Sequence, residues 1–229
     1  MSLTEMELDA LGLSLQVASW SVATSLPVAL LVAWLLARRH FPGKSVVNAL
    51  VHLPLVLPPV VVGYVLLLLL GRNGAIGRFL DQAFGLTLAF TWQGAALAAA
   101  VMAFPLMVRA MRLSLESVDT RLESAARTLG AGRLRVFATV TLPLMAPGIL
   151  VGAVLAFARS LGEFGATITF VSNIPGETRT MPLAIYTLVQ TPGGDVAALR
   201  LAAISVVVAF AALAASEAYA RRVRRHIGV

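Results

Sequence analysis

The stretch from Ser117 to Leu144, SVDTRLESAARTLGAGRLRVFATVTLPL, lies between two long apolar runs and decides how the chain is organised. Its first half places apolar residues at the i, i+3, i+4 and i+7 positions of one helix face, namely Leu122, Ala125, Ala126 and Leu129. Asp119 can cap the start of this helix and Gly130 its end. A second amphipathic piece follows around Phe137, before Pro143 opens the next apolar run. The pattern predicts a polar helical hairpin that is presented to another protein.

The composition indicates the environment in which the chain folds. Hydrophobic residues make up 59% of the 229 residues and charged residues only 13%, and the mean hydropathy is +0.87. A soluble domain does not need this much apolar sequence for its core. We therefore expect an all-α, polytopic membrane protein in contact with a lipid bilayer.

Five apolar runs are long enough for the roughly 20 residues with which a helix crosses a bilayer. They predict one transmembrane domain over 11–216, with a polar loop at 117–139 between the third and fourth spans. The predicted spans are 11–37, 46–70, 87–108, 140–162 and 197–217. Two further apolar pieces, 166–176 and 180–194, are short and rich in Pro and Gly. We expect them to form short or re-entrant helices in an extracytoplasmic loop.

The distribution of charge predicts the orientation of the spans, because short loops rich in Lys and Arg remain in the cytoplasm. Basic residues concentrate at 38–44, at 109–135 and at 221–225. The N-terminal segment is acidic instead, with Glu5, Glu7 and Asp9. An external N-terminus and a cytoplasmic C-terminus require an odd number of spans, which five satisfies.

Several classes of function are excluded by what the sequence lacks. The formal charge of +7 comes from arginines at the ends of apolar runs, which argues for membrane topology and against nucleic-acid binding. The chain has no cysteine, no P-loop motif for ATP and no nucleophile elbow. Its three histidines are not spaced as metal ligands, and we expect His52 to be a hydrogen-bonded structural residue. We predict no catalytic residue, no metal site and no cofactor in this chain.

The second apolar run contains a cluster of prolines, in the segment HLPLVLPPVVVGY at 52–64. Prolines such as Pro58 and Pro59 remove backbone donors and leave carbonyl groups that lipid cannot satisfy. The broken helix must therefore pack against protein or line a wet cavity. A tolerated structural kink and a place on a transport pathway are equally compatible with this pattern.

The fourth run ends with two opposite charges. Arg159 and Glu163 are four residues apart, so they lie on the same helix face and can pair. A charge at this depth costs several kcal/mol unless it is paired. A structural ion pair and a gate or substrate contact are both open interpretations.

The hairpin resembles the EAA loop of binding-protein-dependent ABC importer permeases. The segment ESAARTLGAGRLRVFATVTLPL matches that pattern in register at Ala125, Ala126, Gly130 and the Leu-Pro pair. Ser124 stands where the family has its glutamate, and Glu123 lies one residue earlier, about 100° away around a helix. In the family this hairpin inserts into a groove of the cytoplasmic ATPase subunit. The resemblance implies that six residues couple the chain to such a subunit, namely Glu123, Ala125, Ala126, Arg127, Leu129 and Gly130.

The resemblance extends over nearly the whole chain. The segments FPGKSVVNALVHLPLVLPPVVVGY and SLGEFGATITFVSNIPGETRTMPLAIYTLVQTPGGD are similar to those of molybdate importer permeases. GEFGA and IPGET also occur in sulfate permeases, which are typically longer. The resemblance implies import of molybdate, with tungstate by the same route and sulfate as the alternative.

The resemblance further implies the assembly and its location. A permease of this kind would form a homodimer in the inner membrane of a bacterium, with two ABC ATPase subunits that use ATP and Mg²⁺ and a periplasmic oxyanion-binding protein. The expected pathway or gate residues are Pro58, Pro59, Arg159 and Glu163. The expected contacts of the binding protein are Asn173, Glu177 and Arg179. A passive anion channel would need a polar route but no docking hairpin, and a membrane enzyme would need paired ionisable groups in one cavity.

Overall fold

The computed structural model describes residues 4–227, and for 215–217 and 219–227 it describes the backbone alone. Over this described range the regular structure is helical. The helices are α1 (Glu5–Arg38), α2 (Lys44–His52), α3 (Pro59–Leu70), α4 (Ala75–Phe84), α5 (Trp92–Glu116), α6 (Thr120–Thr128), α7 (Arg133–Val136), α8 (Leu142–Leu161), α9 (Gly165–Val171), α10 (Met181–Val189) and α11 (Asp195–Ile227). The side chains of the basic C-terminal segment 221–225 lie outside this description.

Helix α1 is 34 residues long, or about 51 Å, which exceeds the hydrocarbon core of a bilayer. Its start is fixed by a capping box, in which Thr4 and Glu7 bond reciprocally to each other's backbone N–H groups. It ends at Arg38, before the turn at Gly43. Small buried residues such as Ala18, Ala29 and Ala33 form its inner face, so neighbouring helices approach it closely.

Helix α5 is the centre of the bundle, where it packs extensively on both α1 and α8. Its alanine-rich face is fully buried at Ala95, Ala98 and Ala99. At the contact between α5 and α8, Gly148 of α8 lies so close to Ser114 of α5 that an added Cβ would collide with the Ser114 side chain. Small residues at four-residue spacing therefore set how closely these spans pack.

The second predicted span is broken. A short 3-10 helix (Leu53–Leu55) continues α2. Together these two segments make an angle of 112° with α3. Pro58 caps α3 and Pro59 occupies its first position, where the missing N–H is not needed. The prolines thus place the break between two helices.

Four helices of the described range are long and apolar enough to cross a membrane, namely Glu5–Arg38, Trp92–Glu116, Arg133–Leu161 and Asp195–Ala214. The bent pair of α2 and α3 makes a fifth span if it is counted as one. The prediction of an all-helical membrane protein with about five spans is confirmed. Short helices α9 and α10 occupy the two apolar pieces that were too short to span.

Candidate coupling hairpin and transport pathway

The hairpin consists of α6, a turn and α7. The carboxylate of Asp119 accepts a hydrogen bond from the backbone N–H of Arg121 at 2.8 Å, so it caps α6 as the sequence predicts. Gly130 adopts a left-handed conformation with φ of +85°, and the next N–H, that of Ala131, bonds back to the carbonyl of Ala126. This is a glycine helix end, and a Cβ on Gly130 would meet no other atom within 4 Å.

The tip of the hairpin is apolar and exposed. Leu129 and Leu134 are 88% and 82% exposed, and Leu122 is 50% exposed. These exposures agree with the predicted contact between the hairpin and a partner protein, which stays a prediction. Of the small predicted coupling residues, Ala125 is exposed and Ala126 is half-buried on α6.

Glu123 faces inward, away from this surface. Its carboxylate accepts a hydrogen bond from Arg38 of α1 at 2.9 Å and another from the hydroxyl of Thr141 at 2.8 Å. Thr141 ends a five-residue π-helical segment (Phe137–Thr141) that joins α7 to α8. The glutamate that is displaced by one residue therefore ties the base of the hairpin to two spans. Any part that Glu123 has in coupling acts through this anchor.

The broken second span and the end of the fourth span meet in the structure. Gly165, two residues after Glu163, packs against Pro59, where an added Cβ would lie 2.7 Å from the proline ring. Gly63 of α3 packs as closely on the backbone of Ala166 in α9. The sequence-predicted pathway residues on these two segments are thus brought to one region.

Within that region, Arg159 and Glu163 form the ion pair that their spacing predicts. The guanidinium Nη1 lies 2.7 Å from Oε2 of Glu163, whose side chain is 2% exposed. The other carboxylate oxygen accepts the backbone N–H of Ala166 at 2.9 Å and so caps α9. These contacts support a structural role for the pair, and a gating role stays a prediction.

The loop before α10 is held by its own polar residues. The amide of Asn173 donates to Thr187 at 2.8 Å and accepts from Arg179 at 2.9 Å. Buried Thr178 accepts the N–H of Ile174. Of the three residues predicted to contact a binding protein, Glu177 is exposed at the loop tip, while Asn173 and Arg179 stiffen the loop.

Three features of the structure were missed by the sequence reasoning. Helix α4 was not among the predicted elements, although Ile76, Phe79, Leu80 and Ala83 recur at helical spacing and could have revealed it. The ion pair between Glu7 and Arg200 joins α1 to α11 at 2.7 Å. The anchor of Glu123 on Arg38 was also missed.

Groups that could hold a metal ion are absent from the described residues. His52 bonds through Nδ1 to the carbonyl of Asn48 at 2.8 Å, so it is hydrogen-bonded as the sequence predicts, and its structural role stays a prediction. The ion pairs described above use the carboxylates of Glu7, Glu123 and Glu163 within the fold.

Membrane-spanning helices around a central small-residue helix, with an exposed hairpin between two spans, define a polytopic helical membrane protein. The family model for the inner membrane component of binding-protein-dependent transport systems matches residues 25–225. The chain belongs to this family, whose members are transmembrane permease subunits of ABC importers with ATP hydrolysis on separate ATPase subunits. It is accordingly an inner membrane component and not itself the ATPase.

Individual relatives agree with this placement. The chain is 64% identical over 228 residues to the molybdenum transport system permease protein ModB of Escherichia coli (strain K12), and the match covers 100% of both chains. It is 39% identical over 200 residues to the sulfate transport system permease protein CysT of Salmonella typhimurium, covering 86% of this chain and 72% of that one. The crystal structure of a bacterial ABC transporter that imports the polysaccharide alginate has the same fold, with a TM-score of 0.76 at 19% identity, covering 96% of this chain and 80% of that chain.

Proposed function

We propose that this chain is the permease subunit of a molybdate importer, which also carries tungstate because the two oxyanions share charge and shape. The full-length identity of 64% to a molybdenum permease supports this substrate. The exposed leucine tip of the hairpin is the observation that carries the mechanism, because a passive channel has no use for it. The hairpin converts movement of an ATPase subunit into movement of the spans.

The path of that movement follows from the contacts of the hairpin. A partner that seats on Leu129 and Leu134 displaces the hairpin as a unit. Its base is joined by Glu123 to Arg38 of α1 and to Thr141 next to α8. Both of those helices pack on α5, so a displacement of the hairpin reaches the centre of the bundle.

A single chain of this size is too thin to enclose a route for a dianion, whose transfer into hydrocarbon costs on the order of tens of kcal/mol. We therefore infer a homodimer with the route along its two-fold axis. Each copy presents one hairpin, so two ATPase subunits that use ATP and Mg²⁺ bind the dimer. A periplasmic oxyanion-binding protein delivers the substrate to the opposite face, where Glu177 is exposed.

The coupling proposal is tested by ATP hydrolysis in liposomes that contain the chain, its ATPase subunits and its binding protein. Gly130→Trp introduces bulk at the hairpin tip and strains a left-handed backbone. We expect it to abolish hydrolysis stimulated by the molybdate-loaded binding protein. Gly130→Ala has the same backbone strain without the bulk, and we expect it to retain most of the stimulation.

Gly85→Trp is the matched control, because Gly85 also has a positive φ and its Cβ would also meet no atom within 4 Å. It lies between α4 and α5, outside the hairpin. Equal loss in Gly85→Trp and Gly130→Trp would show that strain and not docking is responsible. Passage of anion without any ATPase would replace the importer with a passive channel.

Sulfate import is the second candidate, supported by the 39% identity to a sulfate permease. The same assay separates the two, since the wild-type complex can be given binding protein loaded with molybdate or with sulfate. Stronger stimulation by molybdate supports the first proposal, and stronger stimulation by sulfate replaces it.

The orientation of the chain is proposed from charge. The structure places Arg38 and the hairpin at one end of α1, and Glu7 with the start of α11 at the other end. Since the hairpin end is the basic one, we infer that it is cytoplasmic and that the N-terminus is outside. The chain has no cysteine, so single cysteines report topology without background.

Asp9→Cys and Gly132→Cys place a thiol at an exposed position on each end. In intact cells, we expect a membrane-impermeant maleimide to label the first variant and to label the second only after lysis. The reverse pattern would invert the orientation, and with it the proposed side of ATPase docking.

A further inference from the structure

A cleft of about 760 Å³ lies between the last turns of α1 and the hairpin. Four of its lining residues are basic, namely Arg38, Arg39, Arg127 and Arg133, and one is acidic, Glu123. The volume lies within the range of about 300–1,000 Å³ that is usual for small-ligand sites. The excess of positive charge indicates an anionic ligand.

The second observation concerns Arg38. Its Nη2 bonds to Glu123, but its Nε is buried and has no hydrogen-bond partner among the described residues. A buried donor without an acceptor costs roughly 1–3 kcal/mol, so a small movement of Arg38 that brings this Nε to an acceptor on a bound ligand would be favourable. A phosphate group would supply this acceptor.

The wall of the cleft nearer the middle of α1 is apolar. It is formed by Pro27, Leu30, Leu31 and Trp34 of α1. Leu31 is 62% exposed and continues the outward face of the span, so the wall runs into the region that lipid tails occupy. The guanidinium of Arg39 lies over the ring of Trp34, with its Cζ 5.4 Å from the ring centroid. This cation–π arrangement is suited to the membrane interface. A free oxyanion would use only the basic part of this cleft.

We propose that the cleft binds one anionic phospholipid, with its phosphate among the arginines and an acyl chain along α1. Basic pockets of this kind on the cytoplasmic side of spans are suited to acidic headgroups. The lipid would fill the gap between the hairpin and the bilayer and thereby fix the resting position of the hairpin. This site is separate from the substrate route, and its occupancy does not depend on which oxyanion is carried.

The test uses the purified full chain and native mass spectrometry with dioctanoyl phosphatidylglycerol, against dioctanoyl phosphatidylcholine as the neutral lipid. The variant pair Arg39→Gln with Arg133→Gln removes two charges of the cleft and leaves Arg38 and Arg127 in place. We expect its affinity for phosphatidylglycerol to fall about 30-fold, given the usual contribution of each basic residue at an anionic surface. The pair Arg72→Gln with Arg78→Gln is the control, since these exposed arginines flank the start of α4, away from the cleft. It should change the affinity less than twofold.

Three results would overturn the proposal. Equal loss in both pairs would mean that only the net charge matters. Displacement of the lipid by inorganic phosphate at equal concentration would make the cleft a site for free oxyanions. If the double variant Arg39→Gln with Arg133→Gln bound the lipid as tightly as the wild type but bound the ATPase subunits more weakly, the cleft would belong to the protein interface. Because the measurement contains no molybdate, its failure would leave the proposed transport function standing.

Discussion

The two ends of α1 are each tied to another part of the chain by an ion pair, and the two pairs differ in construction. At one end, Glu7 is fully buried and receives Nε and Nη2 of Arg200, both at 2.8 Å, while Thr4 also donates to it. At the other end, Arg38 meets Glu123 through a single nitrogen at 2.9 Å. The two arginines are about equally exposed, Arg200 at 25% and Arg38 at 21%, so the pairs differ at the carboxylate, which is fully buried in Glu7 and 12% exposed in Glu123.

The difference shows which end can move. A buried, bidentate pair with a third donor is costly to break, because each lost bond leaves a charge without a partner. A single contact to a partly exposed carboxylate costs less to break, because water can take the place of the lost partner. We infer that the Glu7 pair holds α1 against α11 as a fixed joint, and that the Glu123 pair lets the hairpin shift against α1.

The fixed joint is tested first because its removal has the largest expected effect. Glu7→Ala deletes the partner of Arg200 together with the capping box of α1. We expect the free energy of unfolding to fall by roughly 2–3 kcal/mol, since hydrogen bonds to charged groups are the stronger ones. Unfolding of the purified chain in mixed micelles with increasing SDS measures this change.

Glu5→Ala is the control for that variant. Glu5 is an exposed acidic residue in the same first turn of α1, and its removal should cost well under 1 kcal/mol. If Glu7→Ala is no more destabilising than Glu5→Ala, the buried pair does not fix α1 and the contrast between the two ends disappears.

The sequence predicted well what depends on neighbouring residues. The apolar runs, the Asp119 cap, the glycine turn at 130 and the pair of Arg159 with Glu163 all follow from spacings of a few residues. The prolines predicted a broken second helix, although the angle of 112° could not be read from them. Local rules of helix geometry are sufficient for such features.

Two of the missed features, the ion pairs of Glu7 and of Glu123, depend on contacts between distant parts of the chain, whereas α4 has a local signal in its apolar spacing. Glu7 and Arg200 are 193 positions apart, and Arg38 and Glu123 are 85 apart. Pairing at that separation is decided by how the spans pack, which one sequence does not reveal. The π-helical segment before α8 carries no comparable motif, since the apolar pattern around Phe137 is compatible with an ordinary α-helix. The direction of the Glu123 side chain could not be predicted either, because it depends on how the hairpin packs against α1.

The movable joint is tested by Glu123→Gln, with a smaller expected effect on stability. The amide keeps the shape of the side chain and loses its charge, so we expect the free energy of unfolding to fall by only about 1 kcal/mol. Coupling should suffer more than stability, because the hairpin loses its charged link to α1. We expect ATP hydrolysis stimulated by the loaded binding protein to fall several-fold, measured in the same liposomes as the Gly130 variants.

Two further variants separate the joint from a general loss of charge. Glu116→Gln breaks the surface pair with Arg112, in which Glu116 is 43% exposed, and it should leave both stability and coupling nearly unchanged. Thr141→Val removes the second partner of Glu123, and its effect on coupling should not add to that of Glu123→Gln if both act through one carboxylate. Full additivity would mean that Thr141 acts on coupling by a route other than Glu123. A loss of stability in Glu123→Gln as large as in Glu7→Ala would mean that the hairpin end of α1 is fixed as firmly as the other. The hairpin and α1 would then move together as one rigid unit, and the two ends of α1 would not differ in mobility.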